Sequence, residues 1–305
     1  MENKKELLIS FSGGRTSAMM TKYLLDNKSN EYNFTVIFAN TGHEREATLE
    51  FVNRCDKEFG FNTIWIEAVI NKEYRKGTTA KIVDFETAYR NIRKNGIDPF
   101  EQMISVYGIP NLKAPHCSRE LKGSAIRAYM RGIGIKNYYT ALGIRTDEPK
   151  RLDWVRAKKE RLIYFAQMGR VTKSDVNKFW SKENFDLELK SYQGNCILCW
   201  KKSDRKLFTL LLESDPELIA EIEWIKEMQI KYGAFIPISR QKKATTLPIN
   251  FFRKNRNIEE MIEESKFAFE AATDESKLVD TFIQLGLWNE ELDMNGGCIE
   301  SCEAF

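Results

Sequence analysis

The stretch Phe-Ser-Gly-Gly-Arg-Thr-Ser at residues 11–17 decides the fold of this chain. It follows a short apolar run at residues 7–9 and precedes residues 18–25, in which apolar side chains recur at helical spacing. A strand, a Ser/Gly turn and a helix start in this order form an anion cradle, because unpaired backbone N–H groups and the positive helix end face the same point. The stretch therefore predicts a phosphate-binding site. Its predicted phosphate-binding residues are Ser12, Gly13, Gly14, Arg15, Thr16 and Ser17.

The pattern around this loop predicts an α/β fold. Buried-strand patterns alternate with helical patterns, of which residues 46–59 form the clearest, and this alternation predicts a mainly parallel sheet with helices on both faces. Ligands bind beyond the carboxyl ends of parallel strands, so residues 12–17, 40–44 and 143–151 are expected to converge on one crevice. The further predicted strands are residues 35–39, 64–69, 138–143 and 162–165.

The chain of 305 residues is long enough for two packed units. We predict a nucleotide-binding α/β domain at residues 1–170, with an insertion at about 72–115 that forms a lid. Residues 171–305 are predicted to form a metal-binding segment and a helical C-terminal subdomain. The helices expected in the insertion and in the last third are residues 82–94, 99–107, 207–232, 258–271 and 276–285.

Six cysteines are a second source of chemistry. The chain shows no secretory signal pattern and no apolar stretch long enough to cross a membrane, so a reducing, cytoplasmic location is expected. Clustered cysteines then indicate metal or redox chemistry. Cys196 and Cys199 have the Cys-x-x-Cys spacing of two ligands to one centre, and Cys298 and Cys302 lie on a Gly-flanked tail. On spacing alone, these four cysteines could hold a structural zinc ion.

Four ordered segments resemble one protein family. Residues 12–17 resemble the Ser-Gly-Gly-x-Asp-Ser pyrophosphate loop of the adenine nucleotide alpha hydrolase-like (PP-loop) superfamily. Residues 40–44, 117–122 and 143–148 are similar to motifs of its phosphoadenosine phosphosulfate (PAPS) reductase relatives, and the Cys-x-x-Cys with a cysteine-rich tail resembles members often encoded by phages. Outside the loop, the resemblance implies that the nucleotide is bound by Asn40, Thr41, Gly42, Glu44, Gly143, Arg145 and Arg151.

The resemblance also implies a chemistry. Family members act in sulfur transfer or reduction on an adenylylated or ATP-activated substrate, so ATP or PAPS is the expected nucleotide. Lys122 and Arg145 would bind phosphates and stabilise charge during bond cleavage. A tail cysteine, Cys302 or else Cys298, would be the nucleophile, although the family's Glu-Cys-Gly-x-His ending is missing here. A [4Fe-4S] cluster is implied as well, with the ligands Cys117, Cys196, Cys199 and Cys298.

One departure from the family pattern keeps other functions open. Thr16 stands where ATP-cleaving members carry an Asp, whose carboxylate helps to hold Mg²⁺. The alternatives are an ATP pyrophosphatase-type adenylating enzyme with the structural zinc, and a nucleotide sensor or interaction protein without turnover. His43 is interpreted as a polar loop residue rather than a general base.

Charge gives a weaker indication of partners. The net charge of +3 provides no argument for nucleic-acid binding by the chain as a whole. Local basic runs, such as residues 156–161 and 201–206, lie near aromatic residues, a combination that can hold a polynucleotide, but a solvated surface is the simpler interpretation. The expected partners are a small nucleotide and a nucleic-acid or protein acceptor of sulfur, without a membrane. The sequence provides no prediction of the oligomeric state.

Overall fold

The structure, a computed structural model, describes residues 4–73, 76–112, 114–238, 241 and 246–277. Within them six strands form one sheet: β1 Lys5–Ser10, β2 Tyr32–Asn40, β3 Ile64–Ile70, β4 Thr78–Val83, β5 Tyr139–Leu142 and β6 Leu162–Tyr164. Their spatial order is β4-β3-β2-β1-β5-β6, and every neighbouring pair is parallel except β3 and β4. The prediction of a mainly parallel α/β sheet is thus confirmed.

Helices cover both faces of this sheet. Several of them begin at a side chain that accepts a hydrogen bond from a backbone N–H of the first turn, as Asp98, Thr172 and Asp215 do. The helices are α1 Arg15–Lys28, α2 Glu46–Phe59, α3 Pro99–Tyr107, a π-helix Cys117–Ser124, α4 Ala125–Gly132, α5 Trp154–Glu160, α6 Lys173–Trp180, α7 Asp204–Leu211, α8 Pro216–Tyr232 and α9 Ile258–Ser265.

Strand β1 shows how the two layers arise. Successive side chains of a strand point to opposite faces, so Leu7 and Ile9 pack in one apolar cluster with α1, α2 and α6. Leu8 packs in the other cluster, with α3, α4 and helices α7 to α9. The helical C-terminal part predicted from the sequence is therefore present, and it shares a core with the sheet. The domain boundary at residue 170 stays a prediction.

Three helix predictions were wrong in detail. Residues 82–94 are not helical, because residues 78–83 form β4, whose β-branched side chains pair with the edge of β3, and turns follow. The predicted helix at 207–232 is two helices, since Pro216 starts a new one after the Asp215 cap. Helix α9 ends at Ser265 rather than at residue 271. Of the helix predicted at 276–285, residues 278–285 lie outside the described residues.

The sheet topology brings the predicted binding segments to one edge. Strands β1, β2 and β5 are parallel neighbours, so the loops after Ser10, Asn40 and Leu142 all leave from their carboxyl ends. In the described part of the chain, no helix is both long and apolar enough to span a membrane.

Candidate active site

The loop between β1 and α1 is closed by its own serines. The Ser17 hydroxyl accepts a hydrogen bond from the Ser12 N–H at 3.3 Å, lies 2.9 Å from the Ser12 hydroxyl and donates to the Gly14 carbonyl at 2.9 Å. Gly13 has a φ of +77°, and a Cβ there would lie 2.7 Å from Thr48 Cγ2. Only glycine therefore fits this turn without displacing its neighbours.

Helix α1 begins at this loop with an uncompensated positive end. Its N-cap is Gly14, which has no side chain to accept from the first N–H groups, and its described first turn contains no acidic residue. The first N–H groups of the helix and the helix dipole therefore favour a negatively charged group at this point. They border a crevice of about 820 Å³, which we call the nucleotide crevice.

The nucleotide crevice is lined by an excess of positive charge. Among the described lining residues, Glu44 is the single acidic side chain. Five basic side chains line the same space: Arg15, Lys122, Arg145, Lys173 and Lys190. Four of the five also form ion pairs with acidic side chains outside the lining: Arg15 with Asp186, Arg145 with Asp147, Lys173 with Glu275 and Lys190 with Glu213. Basic side chains beside the main-chain N–H groups at the start of α1 favour an anion such as a nucleotide phosphate.

Arg145 faces the side chain at position 16. Its guanidinium is buried and donates to Thr16 Oγ1 at 3.2 Å and, through Nε, to Asp147 Oδ1 at 2.9 Å. The Glu148 carboxylate accepts from the Arg145 backbone N–H at 3.0 Å and fixes the loop. A hydroxyl at position 16 leaves the positive charge of Arg145 less neutralised than a carboxylate would.

Arg15 lines the crevice but is also bound on its far side. Its guanidinium donates to Asn177 Oδ1 at 2.8 Å and forms an ion pair with Asp186 at 2.8 Å. Burial raises the pKa of Asp186, and the positive charge of Arg15 opposes that shift. Arg15 therefore ties the start of α1 to the segment after α6, besides presenting charge to the crevice.

The loop after β2 joins the crevice to the Cys-x-x-Cys segment. The Glu44 carboxylate accepts from the Thr41 N–H at 3.0 Å and from the Thr41 hydroxyl at 2.8 Å. Glu44 also forms an isolated antiparallel bridge with Cys196, and the Ile197 N–H donates to the His43 carbonyl at 2.9 Å. These contacts hold the first cysteine of the Cys-x-x-Cys pair beside the predicted nucleotide site.

His43 is buried at the centre of a clamp. Its Nδ1 lies 2.8 Å from Glu221 Oε2 on α8, and its Nε2 lies 3.4 Å from Asp98 Oδ1 at the start of α3. The ring packs between Phe100 and Trp224. Burial lowers the pKa of His43, but the two carboxylates outweigh it and raise that pKa to about 10. His43 is thus a buried cation that joins three segments, rather than a polar loop group.

Three cysteines from distant segments line one small cavity. Cys117 at the start of the π-helix and both cysteines of the pair, Cys196 and Cys199, border a space of about 470 Å³, which we call the cysteine cavity. Most of its remaining wall is apolar or aromatic: Phe100, Leu198, Trp200, Trp224, Ile225 and Phe251. Lys122 lines this cavity and the nucleotide crevice alike, so the two spaces adjoin.

Charged side chains of both signs lie near the thiols. Burial, followed by the Glu44 charge, raises the pKa of Cys196 well above its usual value, while Lys122 opposes the shift. Lys202 is fully buried and donates to the Cys196 and Ile197 carbonyls at 3.0 and 2.8 Å. Burial lowers the pKa of Lys202 to about 8, although the nearby cysteines oppose this. Without a bound cation the Cys196 thiol is therefore protonated at neutral pH, whereas a metal would deprotonate it.

The described part of the predicted metal centre consists of Cys117, Cys196 and Cys199. Among the described residues, no group of three or more His, Cys, Asp or Glu side chains is arranged to hold a metal ion. Three thiols around one apolar cavity nevertheless match the soft donors that iron-sulfur clusters and zinc prefer. Cys298 and Cys302 lie outside the described residues.

Several predicted nucleotide-binding residues lie away from the crevice wall. Asn40 is buried beneath it, where its amide donates to Glu67 Oε1 at 2.8 Å and its Oδ1 accepts from the Gly42 N–H at 3.2 Å. Gly143 packs against Ser17, and an added Cβ would lie 3.1 Å from the Ser17 Cα. Arg151 is paired with Glu148. In the structure these residues shape the loops, and their predicted contact with nucleotide stays a prediction.

The far wall of the crevice was missed by sequence reasoning. It comes from α6 and from the irregular segment 187–195. The Thr172 cap marks the start of α6, but no periodicity marks residues 187–195 as part of a site. The missed lining residues with polar side chains are Thr48, Lys173, Asn177, Lys190, Ser191, Asn195 and Ser276.

Comparison with known proteins agrees with this geometry. The phosphoadenosine phosphosulfate reductase domain family matches residues 6–186, which include the loop after β1, the π-helix and Arg145. A protein of Escherichia phage lambda, described as "uncharacterized nin region protein ORF290", is 32% identical over 201 residues, which are 66% of this chain and 67% of that protein. The match extends over more than half of the chain, and the chain therefore belongs to the phosphoadenosine phosphosulfate reductase domain family.

Proposed function

We propose that the protein is an adenine-nucleotide-dependent enzyme that transfers or reduces sulfur. Membership of the PAPS reductase domain family suggests a nucleotide-binding, sulfur-related function. The observation that carries the proposal is the nucleotide crevice, where the glycine loop and the helix α1 N-terminus meet five basic side chains and one acidic side chain. This charge pattern suits a phosphate chain or the phosphate and sulfate groups of PAPS.

In this proposal the crevice residues bind and orient the nucleotide. Main-chain N–H groups of residues 12–17 hold phosphate oxygens, and Lys122 and Arg145 compensate charge that builds up as the bond to the leaving group breaks. Lys122 is suited to this role because it lies at the junction with the cysteine cavity. The tail cysteine Cys302 is proposed as the nucleophile, in line with the family's pattern.

The cysteine cavity is proposed to hold a [4Fe-4S] cluster on Cys117, Cys196, Cys199 and Cys298. The shared cavity of the first three residues supports this ligand set over a zinc site that leaves out Cys117. A bound cluster would supply electron transfer or a soft binding position for sulfur. Lys122 and Lys202 would offset its negative charge, and the aromatic wall would exclude water.

A second candidate is favoured by Thr16. Its hydroxyl is engaged by Arg145, and Glu44 is the one acidic side chain among the described crevice residues, so Mg²⁺ would find few carboxylate ligands there. A nucleotide sensor without turnover would need binding but no such metal. Of the three candidate functions, these contacts favour an ATP-cleaving adenylating enzyme least.

The test is incubation of anaerobically purified protein with ATP or with PAPS. Pyrophosphate and AMP report ATP cleavage, whereas sulfite and adenosine 3′,5′-bisphosphate report PAPS reduction, for which an added dithiol supplies the two electrons. We expect product from PAPS, and a loss of that product in Lys122→Met but not in Lys178→Met, a change at an exposed lysine on α6. Binding without product from either nucleotide would support the sensor, and absence of binding would overturn both candidates.

A further inference from the structure

A second, strongly basic groove lies on the face of the sheet that carries α4. We call it the basic groove. It runs between the π-helix with α4 on one side and α5 on the other. Its floor contains Thr140 on β5 and Leu162 on β6, which are register partners in the sheet. The groove is therefore a gap between helices that the sheet closes from below.

The residues that line the groove carry a much more positive net charge than the chain as a whole. Arg119, Arg127 and Lys201 line its first side. The loop before β5 and helix α5 with the residue after it contribute Lys136, Arg156, Lys159 and Arg161. Glu160 is the single acidic residue among the described lining residues, so seven basic side chains leave an excess of six positive charges. The whole chain carries +3, so the remainder of the molecule is on balance acidic.

Part of this charge has no partner within the described residues. Arg156 pairs with Glu160 at 2.9 Å. Lys136, Lys159 and Arg161 are exposed, and among the described residues their side chains make no hydrogen bond or ion pair. These three side chains line one groove and are available to an anion, since they have no partner among the described residues. Such an arrangement favours a ligand with several negative charges.

Arg161 stands at a position where another residue would be less strained. It is the C-cap of α5 and has a φ of +56°, in the left-handed region that favours glycine or asparagine. An arginine there accepts backbone strain and places a long cation at the groove. Tyr138 adds an aromatic side chain to the lining.

The groove leads to the cysteine cavity. Ser118 lines both of them, and Lys201, which lines the groove, donates to the Ser118 hydroxyl at 3.0 Å. From Ser118 the groove extends past Arg119 and Arg127 to Lys136 and Tyr138, just before β5.

We propose that the basic groove binds the phosphate backbone of a single nucleic-acid strand and leads it towards the cysteine cavity. A single strand fits because its phosphates can pair with the exposed cations while a base stacks on Tyr138, an aromatic side chain of the lining. The groove lies outside the nucleotide crevice. This inference therefore goes beyond the proposed function and does not depend on nucleotide turnover.

The test is a binding titration of the full chain with fluorescently labelled RNA and DNA, as single strands and as duplexes, over a range of salt concentrations. The triple substitution Lys136→Gln, Lys159→Gln and Arg161→Gln should weaken single-strand binding at least roughly tenfold at about 0.1 M salt. It should also reduce the slope of log K against log[salt] by about 2, since each phosphate contact to a single strand contributes about 0.7. Glu160→Gln should strengthen binding.

A matched control removes the same charge from the opposite face. Lys57, Lys178 and Lys182 are exposed lysines on or next to α2 and α6, and their triple change to Gln should alter binding less than about twofold. The proposal is overturned by no binding of wild type at about 50 mM salt, by an equal loss in the control, or by tighter binding of duplexes. The proposal would likewise be overturned if ATP displaced the labelled strand at the same concentration of negative charge, because small anions would then be sufficient ligands for the groove. Thermal unfolding verifies that all variants are folded.

Discussion

The nucleotide crevice and the cysteine cavity lie side by side and share Lys122, yet they differ in polarity and in construction. The crevice is polar and basic, and its key turn is made by six consecutive residues and the start of one helix. The cavity is apolar and aromatic, and its cysteines come from segments almost 80 residues apart along the chain. One region is made to bind charge and the other to exclude water.

Because of this difference, phosphate binding and the cysteine cavity depend on different parts of the fold. A backbone cradle for phosphate forms wherever a strand, a glycine turn and a helix follow one another. A cavity lined by three cysteines requires that the π-helix, the Cys-x-x-Cys turn and α8 all be in place. Changes remote from the nucleotide are therefore expected to affect the cysteine cavity before they affect the crevice.

The largest effect is expected at the cysteines. Cys199→Ser should abolish metal binding whichever metal is bound, while Cys117→Ser should abolish it only if the centre is a cluster. The measurement is iron and zinc content together with absorbance near about 400 nm after anaerobic purification.

Cys55→Ala provides the control for these variants, because Cys55 is a buried residue of α2 on the other face of the sheet. It should lower stability slightly and leave the metal content unchanged. Retention of iron in the Cys117 variant would contradict the proposed ligand set.

Substitution of Gly13 should disrupt the nucleotide crevice rather than the cysteine cavity. Gly13→Ala forces a Cβ to within 2.7 Å of Thr48 and keeps a positive φ, so we expect a loss of about 3 kcal/mol in unfolding free energy and of nucleotide binding. Gly60→Ala also has a positive φ but meets no atom within 4 Å, so it should cost about 1 kcal/mol and leave binding intact. Urea unfolding and calorimetric titration with nucleotide separate the two. Equal behaviour of both variants would show that the contact with Thr48 is unimportant.

The His43 clamp should make the packing around the cysteine cavity sensitive to pH. Its pKa in the folded chain, about 10, exceeds the usual 6.5, so its stabilising effect is complete below about pH 6.5 and is lost as pH rises through about 10. Unfolding free energy should fall over this interval by at most about 1.4 kcal/mol per pH unit for this one proton.

His43→Asn should remove that slope and cost about 3 kcal/mol at neutral pH, because two buried carboxylates lose their cation. Denaturant titrations of both proteins between about pH 6 and 10 give the comparison. A variant with the wild-type slope would show that another group titrates.

The smallest effect concerns the side chain that both regions share. Lys122→Met should weaken nucleotide binding roughly tenfold, or about 1.4 kcal/mol, since one charged contact among several is lost. Isothermal titration calorimetry with nucleotide measures the dissociation constants of Lys122→Met and of the control Lys178→Met. If both variants bind as wild type does, Lys122 belongs to the cysteine cavity alone.

The same two regions explain what could be predicted from sequence. Helix α2 was predicted at residues 46–59 and is observed there, because its apolar spacing and the glycine after it are local signals. The loop after β1 was predicted for the same reason. Strand β4 was missed because Ile82 is largely exposed on an edge strand, and only pairing with β3 makes residues 78–83 a strand.

The parts that escaped prediction depend on contacts between distant residues. Segment 187–195 has no regular structure, and it is held by contacts with distant residues, such as the hydrogen bond that the Ser191 N–H donates to Asp274 Oδ1 at 2.9 Å. His43 was interpreted as a loop group because neither Asp98 nor Glu221 is near it in sequence. Chemistry that requires several segments to meet is invisible to periodicity.

The π-helix has a consequence for the main chain. Cys117 and Lys122 are five residues apart, the hydrogen-bonding period of a π-helix, and both line the cysteine cavity. In a regular α-helix of the same length they would point about 140° apart. The position of Lys122 between two adjoining spaces therefore depends on the π-helical hydrogen bonds of the main chain. If this turn became α-helical, Lys122 would leave that position without any change in sequence.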